Sequence, residues 1–280
     1  MSTLRIGASS RLLWNLPLEN GIEALAKIGY ECIEIWAEPP HLVPSSFPGE
    51  GRHRLRNLLH ELNLEATLHA TSWDLNIASL NPTIREVSID LVEESIDLAA
   101  DIEVDLVVVH PGKMSSSKGT CTETNSILVE ALRELAERAR EKGVILALEN
   151  MEKRPKEIIV TPDDLKGLLA AVRSNSLVGL VDVAHANLVL DPTKFLVECL
   201  DVLAHVHISD NKGSAPIHLP LGKGTIDLGK IFEVLNKGGY KGRVIIEGFV
   251  SEDPMGTAKD DFEFAAALIH RLNQSYLPLS

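Results

Sequence analysis

The chain has 280 residues, of which 45% are hydrophobic and 24% are charged, as in an ordinary globular protein. Its 27 lysines and arginines against 40 aspartates and glutamates give a formal net charge of −13, which argues against nucleic acid or an anionic membrane as the default partner. No apolar run approaches the ~18 residues that a membrane span requires. Cys32, Cys121 and Cys199 lack CxxC spacing and the amino terminus lacks a signal-peptide pattern, so we expect a cytoplasmic protein.

Short apolar runs alternate with longer amphipathic stretches along the chain. The runs are rich in Val, Ile and Leu and predict buried parallel strands at Leu4–Ala8, Cys32–Trp36, Ala66–His69, Asp105–His110, Val144–Glu149, Leu177–Asp182, Val202–His207 and Val244–Glu247. The amphipathic stretches predict helices at Leu18–Ile28, Gly51–Leu62, Pro82–Ala100, Asn125–Lys142, Pro162–Val172, Thr193–Leu200, Leu228–Asn236 and about Thr257–Gln274. Repeated units of one strand followed by one helix predict right-handed βαβ crossovers.

We therefore predict an α/β fold in which residues 1–280 form a single (β/α)8 TIM barrel domain. The length is close to the ~250 residues typical of such a barrel, although length alone would also allow two domains. The segment Gly7–Ser10 lacks GxGxxG spacing, which disfavours an open dinucleotide-binding sheet. The sequence leaves a monomer and a homo-oligomer equally open.

Successive predicted strands finish with a residue type that ligates metals. The third to the eighth strand end in turn with His69, His110, Glu149, Asp182, His207 and Glu247. In a barrel of this kind the C-terminal strand ends form the active-site mouth. Ionisable side chains converging there would be costly to bury without a divalent cation to offset their charge. A single such residue is more often structural, but the recurrence predicts a metal site.

Other residues near the strand ends permit both a structural and a functional interpretation. His205 points the same way as His207 but lies one layer deeper, so we interpret it as core filler or support rather than as a ligand. Trp36, Trp73 and Phe249 lie at or just past strand ends and are candidates for the walls of a substrate pocket.

An ordered set of short motifs runs from the second strand to the eighth. The motifs are Glu34–His41, His69–Ser79, Val109–Gly112, Leu148–Asn150, Val181–His185, His207–Gly213, His218–Asp227 and Gly239–Glu247. Each motif alone is weak, but the ordered set resembles the xylose isomerase-like TIM barrel superfamily, and within it the sugar phosphate isomerase/epimerase branch. The resemblance implies a divalent metal ion as cofactor, with Mn²⁺, Mg²⁺, Co²⁺ and Zn²⁺ as candidates.

The resemblance also implies roles for individual residues. Ketose 3-epimerase-like members hold one divalent metal with residues that match Glu149, Asp182, His207 and Glu247. In those members the two glutamates double as the acid/base pair, and a histidine matching His185 contacts the substrate. Lys212 is a further candidate for binding substrate hydroxyls or a phosphate, or it is a solvated loop lysine.

Endonuclease IV-like members of the superfamily add zinc ligands, and these match His69, His110, His185 and His218. They also use an aspartate two residues before the last of these histidines, where this chain has Pro216, which cannot ligate. The third zinc of the nuclease type is therefore disfavoured. For His69 and His110 two outcomes stay open: a second metal site through a bridging Glu149, or hydrogen bonds to substrate or water.

The leading hypothesis is a metal-dependent sugar or sugar phosphate isomerase or epimerase that acts on a small polyhydroxy carbonyl substrate. Glu149 and Glu247 would transfer the proton through an enediolate. The alternative is an endonuclease IV-like, zinc-dependent apurinic endonuclease or phosphodiesterase, because imidazole-rich sites suit zinc. The net charge of −13 and Pro216 count against that alternative. A non-catalytic barrel that only binds a sugar is a third interpretation.

Overall fold

The computed structural model describes residues 4–117, 121–248 and 251–275. Within these residues, eight parallel strands follow one another around a closed barrel, so that the first strand pairs with both the second and the eighth. The strands are β1 (Arg5–Ser9), β2 (Cys32–Trp36), β3 (Glu65–His69), β4 (Leu106–Val109), β5 (Ile145–Glu149), β6 (Leu177–Asp182), β7 (Leu203–Ile208) and β8 (Arg243–Ile246). The predicted α/β barrel is therefore confirmed.

Helices connect the strands. They are α1 (Leu18–Ile28), α2 (Gly49–Glu61), α3 (Pro82–Asp101), α4 (Cys121–Lys142), α5 (Pro162–Val172), α6 (Val183–Ala186), α7 (Pro192–Cys199), α8 (Leu228–Lys237) and α9 (Pro254–Ser275). Short 3-10 turns at Ser10–Leu13 and Pro44–Ser46 follow β1 and β2. In the described part of the chain, no helix combines the length and the hydropathy needed to cross a bilayer.

Most element boundaries lie within a few residues of those expected from the sequence, but α6 was not expected. It begins directly after β6 because Oδ1 of Asp182 accepts a hydrogen bond from the backbone N–H of His185 at 2.6 Å. A helix of four residues is shorter than any window in which a helical hydrophobic period can be recognised. This helix fixes the position of His185 at the end of the barrel.

Side chains from alternate strand positions fill the barrel interior. Val108, Ala147 and Leu180 are fully buried and belong to a small apolar cluster inside the barrel. Each lies two residues before a polar strand-end residue and therefore shares its inward face, as the period of two along a strand requires. Gly7 in β1 faces the same crowded interior, where an added Cβ would lie 2.4 Å from Cδ1 of Ile245.

An ionic network joins several strands at the N-terminal end of the barrel. Arg243 at the start of β8 pairs with Glu65 at 2.8 Å and with Asp105 at 2.9 Å, and Arg5 of β1 also pairs with Glu65. Because active sites of this fold lie at the C-terminal strand ends, we interpret this network as structural.

Candidate functional site

The C-terminal strand ends bring four ligand-type side chains into one small volume. Glu149 ends β5, Asp182 ends β6, His207 lies in β7 and Glu247 follows β8. All four are buried, and each contributes an atom to a set whose members lie within 4.8 Å of one another. We call these four residues the metal cluster.

The polar atoms of the metal cluster fit a divalent cation. Among the described residues, both carboxylate oxygens of Glu149, Oδ2 of Asp182, Oε2 of Glu247 and Nδ1 of His207 are buried without a hydrogen-bond partner. Nδ1 of His207 lies 2.8 Å from Oε2 of Glu247 and 3.5 Å from Oε1 of Glu149, without hydrogen-bond geometry. Buried polar atoms normally have partners, so several orphaned atoms facing one volume point to a ligand. Carboxylates with an imidazole suit Mn²⁺, Zn²⁺ and related cations.

The electrostatics of the metal cluster agree with this donor set. Burial opposes a positive charge on His207, but the nearby carboxylates, led by Glu34 and Glu247, raise its pKa well above the ordinary value. Burial likewise opposes the negative charges of Glu149 and Glu247, but His207 lowers the pKa of both. Burial raises the pKa of Asp182. The ionised forms of Glu149 and Glu247 are thus stabilised by positive charge placed beside them, whereas that of Asp182 is not.

Asn150 and α6 hold Asp182 in place. The backbone N–H of Asp182 donates to Oδ1 of Asn150 at 2.7 Å. Nδ1 of His185 donates to the carbonyl oxygen of Asn150 at 2.9 Å, so that Nε2 of His185 faces Glu152 at 3.5 Å. Burial lowers the pKa of His185, but Asp182 and Glu149 outweigh it and raise the value to about 9. His185 is therefore a cationic donor at the edge of the metal cluster.

His69 and His110 lie beside one carboxylate oxygen of Glu149, Oε2. Nε2 of His110 lies 3.2 Å and Nε2 of His69 lies 3.7 Å from Oε2 of Glu149, whereas His207 and His185 approach Oε1. Nδ1 of His69 donates to the carbonyl oxygen of Ala70 at 2.9 Å, which leaves a lone pair on Nε2. This geometry suits a second cation bridged by Glu149, and it equally suits hydrogen bonds to substrate or water. Both outcomes remain predictions.

His218 completes a third group with Asp182 and His185, in which the ligand-type atoms also lie within 4.8 Å of one another. Its Nδ1 is hydrogen bonded with Oγ of Ser209 at 2.9 Å and lies 3.9 Å from Oδ2 of Asp182. Pro216, two residues earlier, contributes no side-chain ligand. The group therefore uses the aspartate of β6 and lacks the additional aspartate of the nuclease pattern.

Arg11 and aromatic rings form one wall of the mouth. The guanidinium carbon of Arg11, in the turn after β1, lies 4.0 Å from the ring centroid of Trp36, and Nη1 lies 3.8 Å from Oε1 of Glu247. Trp36 stacks on His69, its register partner on β3, at 3.9 Å. Trp36 is thus covered on both faces, which leaves it little contact with a substrate.

The other predicted substrate-binding residues lie further out. Trp73 is 46% exposed in the loop after β3 and packs beside Trp14, with ring centroids 5.9 Å apart. Lys212 is exposed in the loop after β7. Phe249 lies outside the described residues. A substrate-binding role for Trp73 and Lys212 remains a prediction.

Glu34 is a buried carboxylate that the strand-end pattern did not identify, because it lies two residues before the end of β2. Its Oε2 accepts hydrogen bonds from Thr67 at 3.0 Å, from His205 at 2.9 Å and from His207 at 3.2 Å. His205 therefore lies beneath the metal cluster as a partner of Glu34. The available signal was a glutamate on the inward face of an apolar strand, where a charge requires partners.

Comparison with known proteins places the chain in a family. The family model for the xylose isomerase-like TIM barrel matches residues 22–268. Uncharacterized protein MJ1311 of Methanocaldococcus jannaschii is 28% identical over 87% of this chain and 83% of its own length. Fructoselysine 3-epimerase of Shigella flexneri is 26% identical over 83% of this chain and 85% of its own length. The crystal structure of a D-tagatose 3-epimerase-like protein has a TM-score of 0.89 at 26% identity, covering 98% of this chain and all of that one. This chain therefore belongs to the xylose isomerase-like TIM barrel family.

Proposed function

We propose that the protein is a metal-dependent isomerase or epimerase of a small polyhydroxy carbonyl compound, such as a ketose or a ketose phosphate. The observation that carries the proposal is the convergence of Glu149 and Glu247 with Asp182 and His207 in one buried cluster at the barrel mouth. Similarity to a fructoselysine 3-epimerase and to a D-tagatose 3-epimerase-like protein supports the same class of reaction.

The two glutamates supply the proton-transfer chemistry. One carboxylate removes the proton from the carbon next to the carbonyl group, and the electron pair of that C–H bond forms the enediolate. The other carboxylate, which must first take up a proton from solvent, returns that proton to the opposite face and inverts the carbon. If one carboxylate serves both neighbouring carbons, the carbonyl group shifts by one position instead. When bound by the metal cluster, a divalent cation polarises the oxygens of the substrate.

Asp182 and His207 have a different role, because neither is needed to move the proton. Asp182 is fixed by Asn150 and by the start of α6, and His207 is fixed by Glu34, so both present one atom rigidly to the cluster. Rigid placement favours a ligand over a group that must exchange protons with a moving substrate. We therefore assign Asp182 and His207 as ligands, and Glu149 and Glu247 as ligands that also transfer protons.

A zinc-dependent apurinic endonuclease or phosphodiesterase is the second candidate. The group of His69, His110 and Glu149 favours it, because two imidazoles and a carboxylate suit zinc. The formal net charge of −13 disfavours a polyanionic substrate, and Pro216 removes a ligand that the nuclease chemistry uses.

Exchange of substrate hydrogen with solvent tests the leading proposal through Glu247→Gln. The substitution keeps the size of the side chain and one oxygen but removes the basic carboxylate. A positioned acid or base contributes about 10²–10⁴-fold, so we expect the variant to fold and to exchange label slower by that factor. The measurement is the release of deuterium from ketoses and ketose phosphates labelled next to the carbonyl group, with Mn²⁺ added. Glu263→Gln, on an exposed part of α9, is the matched control and retains wild-type exchange.

The same assay separates the two candidate functions. Wild-type protein loaded with metal releases label from at least one member of the panel if the proposal is correct. If it releases none and instead cleaves DNA at abasic sites, the isomerase proposal is wrong and the nuclease replaces it. Full exchange by Glu247→Gln would instead contradict the assignment of Glu247 as a proton carrier.

A further inference from the structure

Glu34 lies one layer below the metal cluster and is completely buried. Oε2 of Glu34 accepts from the hydroxyl of Thr67 at 3.0 Å, from Nε2 of His205 at 2.9 Å and from Nε2 of His207 at 3.2 Å, and Oε1 lies 3.0 Å from the same nitrogen of His207. The contact with His207 spans the barrel interior from β2 to β7. Glu34 therefore connects the metal cluster to the layer beneath it.

This contact determines which nitrogen of His207 faces the metal cluster. A hydroxyl and two ring nitrogens converge on the oxygens of Glu34, so Glu34 is the acceptor of this group. A carboxylate that accepts from Nε2 of His207 requires a proton on that nitrogen. Nδ1 is then the ring atom left for a ligand, and it lies among the carboxylates of Glu149 and Glu247.

We propose that Glu34 is a positioning residue that holds His207 with its Nε2–H toward the barrel core and its Nδ1 toward the metal. The inference rests on the proposed function only in taking His207 as a metal ligand, and it does not depend on which sugar is the substrate. Carboxylates that orient a ligating histidine typically contribute about 10–100-fold in metal affinity or activity. Glu34 acts through His207 and does not touch the substrate.

The principal rival is that Glu34 is itself a metal ligand, because Glu34, His205 and His207 also have ligand-type atoms within 4.8 Å of one another. The hydrogen bonds argue against it. Nε2 of His205 donates its proton to Oε2 of Glu34 at 2.9 Å. A cation bound by these three side chains would have to displace that proton and the Nε2 proton of His207 in a completely buried layer, and it would compete with the hydroxyl of Thr67 for Oε2 of Glu34.

Nitrogen NMR gives the most direct test, because the result is read from the wild-type protein. The protein is labelled with ¹⁵N-histidine and loaded with Zn²⁺, which is diamagnetic, and the His207 signals are assigned by their loss in His207→Gln. We expect His207 to show a protonated Nε2 and a zinc-bound Nδ1. A zinc-bound Nε2 on His207, or zinc-bound His205, would overturn the proposal.

Metal affinity of the variant Glu34→Gln gives the second test. The substitution preserves the shape of the side chain but removes the charge and one acceptor oxygen. We expect the dissociation constant for Mn²⁺, measured by calorimetry without substrate, to rise about 10–100-fold. The matched control is Glu152→Gln, which neutralises another buried carboxylate of the mouth that faces His185 rather than His207. In the nitrogen NMR experiment, we expect this control to leave the protonated Nε2 of His207 in place.

The outcomes distinguish this inference from the proposed function. If Zn²⁺ binds Nδ1 of His207 and Glu34→Gln loses affinity, but no ketose exchanges label, Glu34 is a positioning residue and the isomerase proposal is wrong. If label exchange is found but Glu34→Gln binds Mn²⁺ as tightly as the wild type does, the isomerase proposal stands and the role of Glu34 is wrong.

Discussion

The guanidinium carbon of Arg11 lies 4.0 Å from the centroid of the Trp36 ring at the edge of the metal cluster. Its other neighbour is Glu247, with 3.8 Å between Nη1 of Arg11 and Oε1 of Glu247. A planar cation stacked on an aromatic ring keeps its charge while losing much of its water, which strengthens its effect on nearby anions. Arg11 therefore favours the ionised form of Glu247, the form that would remove a proton in the proposed reaction.

Replacing Arg11 by Met is expected to lower kcat/KM for label exchange about tenfold. The loss of a partly buried cation–π contact and of a charge beside Glu247 corresponds to about 1–2 kcal/mol, and 1.4 kcal/mol is a factor of ten in rate. The measurement is steady-state kinetics on the ketose that the wild-type protein uses. Arg54→Met is the control, because Arg54 is a mostly exposed arginine paired with Glu19 on the outer helices. Unchanged kcat/KM in Arg11→Met would show that the charge of Arg11 has no effect on the reaction.

At the scale of elements, α9 is linked to the loop that carries His218. Asp261 of α9 is buried, and its Oδ1 accepts the backbone N–H of Leu221 at 2.7 Å. Its Oδ2 is buried without a hydrogen-bond partner among the described residues. Burial, assisted by Asp260, raises the pKa of Asp261 to about 6. When the carboxylate of Asp261 is ionised, its buried charge therefore destabilises the folded protein.

The raised pKa predicts the direction of a pH effect on stability. The unfolded chain ionises this carboxyl group near pH 4, whereas the folded protein retains its proton up to about pH 6. The folded state thus binds more protons in that window, and the contribution of Asp261 to stability falls as pH rises from about 4 to about 6. We expect the free energy of unfolding of Asp261→Asn, relative to that of the wild type, to rise by about 2–3 kcal/mol between pH 4 and pH 7.5.

Urea unfolding at several pH values measures this difference, because other titrating groups affect the wild type and the variant alike. Glu263→Gln is the control, since it removes the same formal charge from an exposed position of the same helix. We expect its stability difference from wild type to change little with pH. A pH-independent difference for Asp261→Asn would contradict the assignment.

The barrel and the strand-end residues could be predicted because each depends on a local pattern. Apolar runs end in His69, Glu149 and Asp182, and the residue that ends a parallel strand must lie at the mouth once the sheet closes. No distant contact had to be known for this step. The same reasoning placed His205 one layer below His207.

Glu34 and Arg11 could not be predicted in the same way. The hydrogen bond between Glu34 and His207 joins residues 173 positions apart, and it exists because the barrel closes β2 against strands that come much later in the chain. Arg11 faces the mouth because a 3-10 turn of four residues returns the chain over the end of β1. Neither a particular contact across the closed barrel nor a turn this short leaves a periodic signal in the sequence.

At the scale of the whole molecule, the two ends of the barrel carry opposite kinds of charge arrangement. At the N-terminal end, Arg243, Glu65 and Asp105 satisfy one another. At the C-terminal end, the carboxylates of the metal cluster are close together and several of their oxygens have no partner. The first arrangement contributes stability alone, whereas the second is the one whose charge the proposed cation would offset.

Metal addition is therefore expected to stabilise the whole fold. At a Mn²⁺ concentration about 100 times the dissociation constant, binding to the folded state contributes about 2.7 kcal/mol, which raises Tm by about 5–10 °C for a chain of this size. Asp182→Asn retains the cap of α6 but loses a charged ligand, so we expect it to lose most of this increase. Calorimetry with Mn²⁺ and with EDTA makes the comparison.

Arg243→Met is the control for this experiment. It breaks the network at the opposite end of the barrel, so it lowers Tm but leaves the increase caused by Mn²⁺ intact. An equal Mn²⁺ effect in Asp182→Asn and in the wild type would show that the cation binds elsewhere.

The aromatic rings at the mouth also determine where the tryptophan fluorescence of the protein originates. The chain contains three tryptophans, and all of them, Trp14, Trp36 and Trp73, follow or end the first three strands on this side of the mouth. Trp36 stacks on His69, so a cation or substrate that alters the charge around His69 also alters the surroundings of that indole. Fluorescence excited selectively in the indoles therefore originates at the mouth alone. The protein carries its own optical reporter of binding, without an added dye and without background from the rest of the barrel.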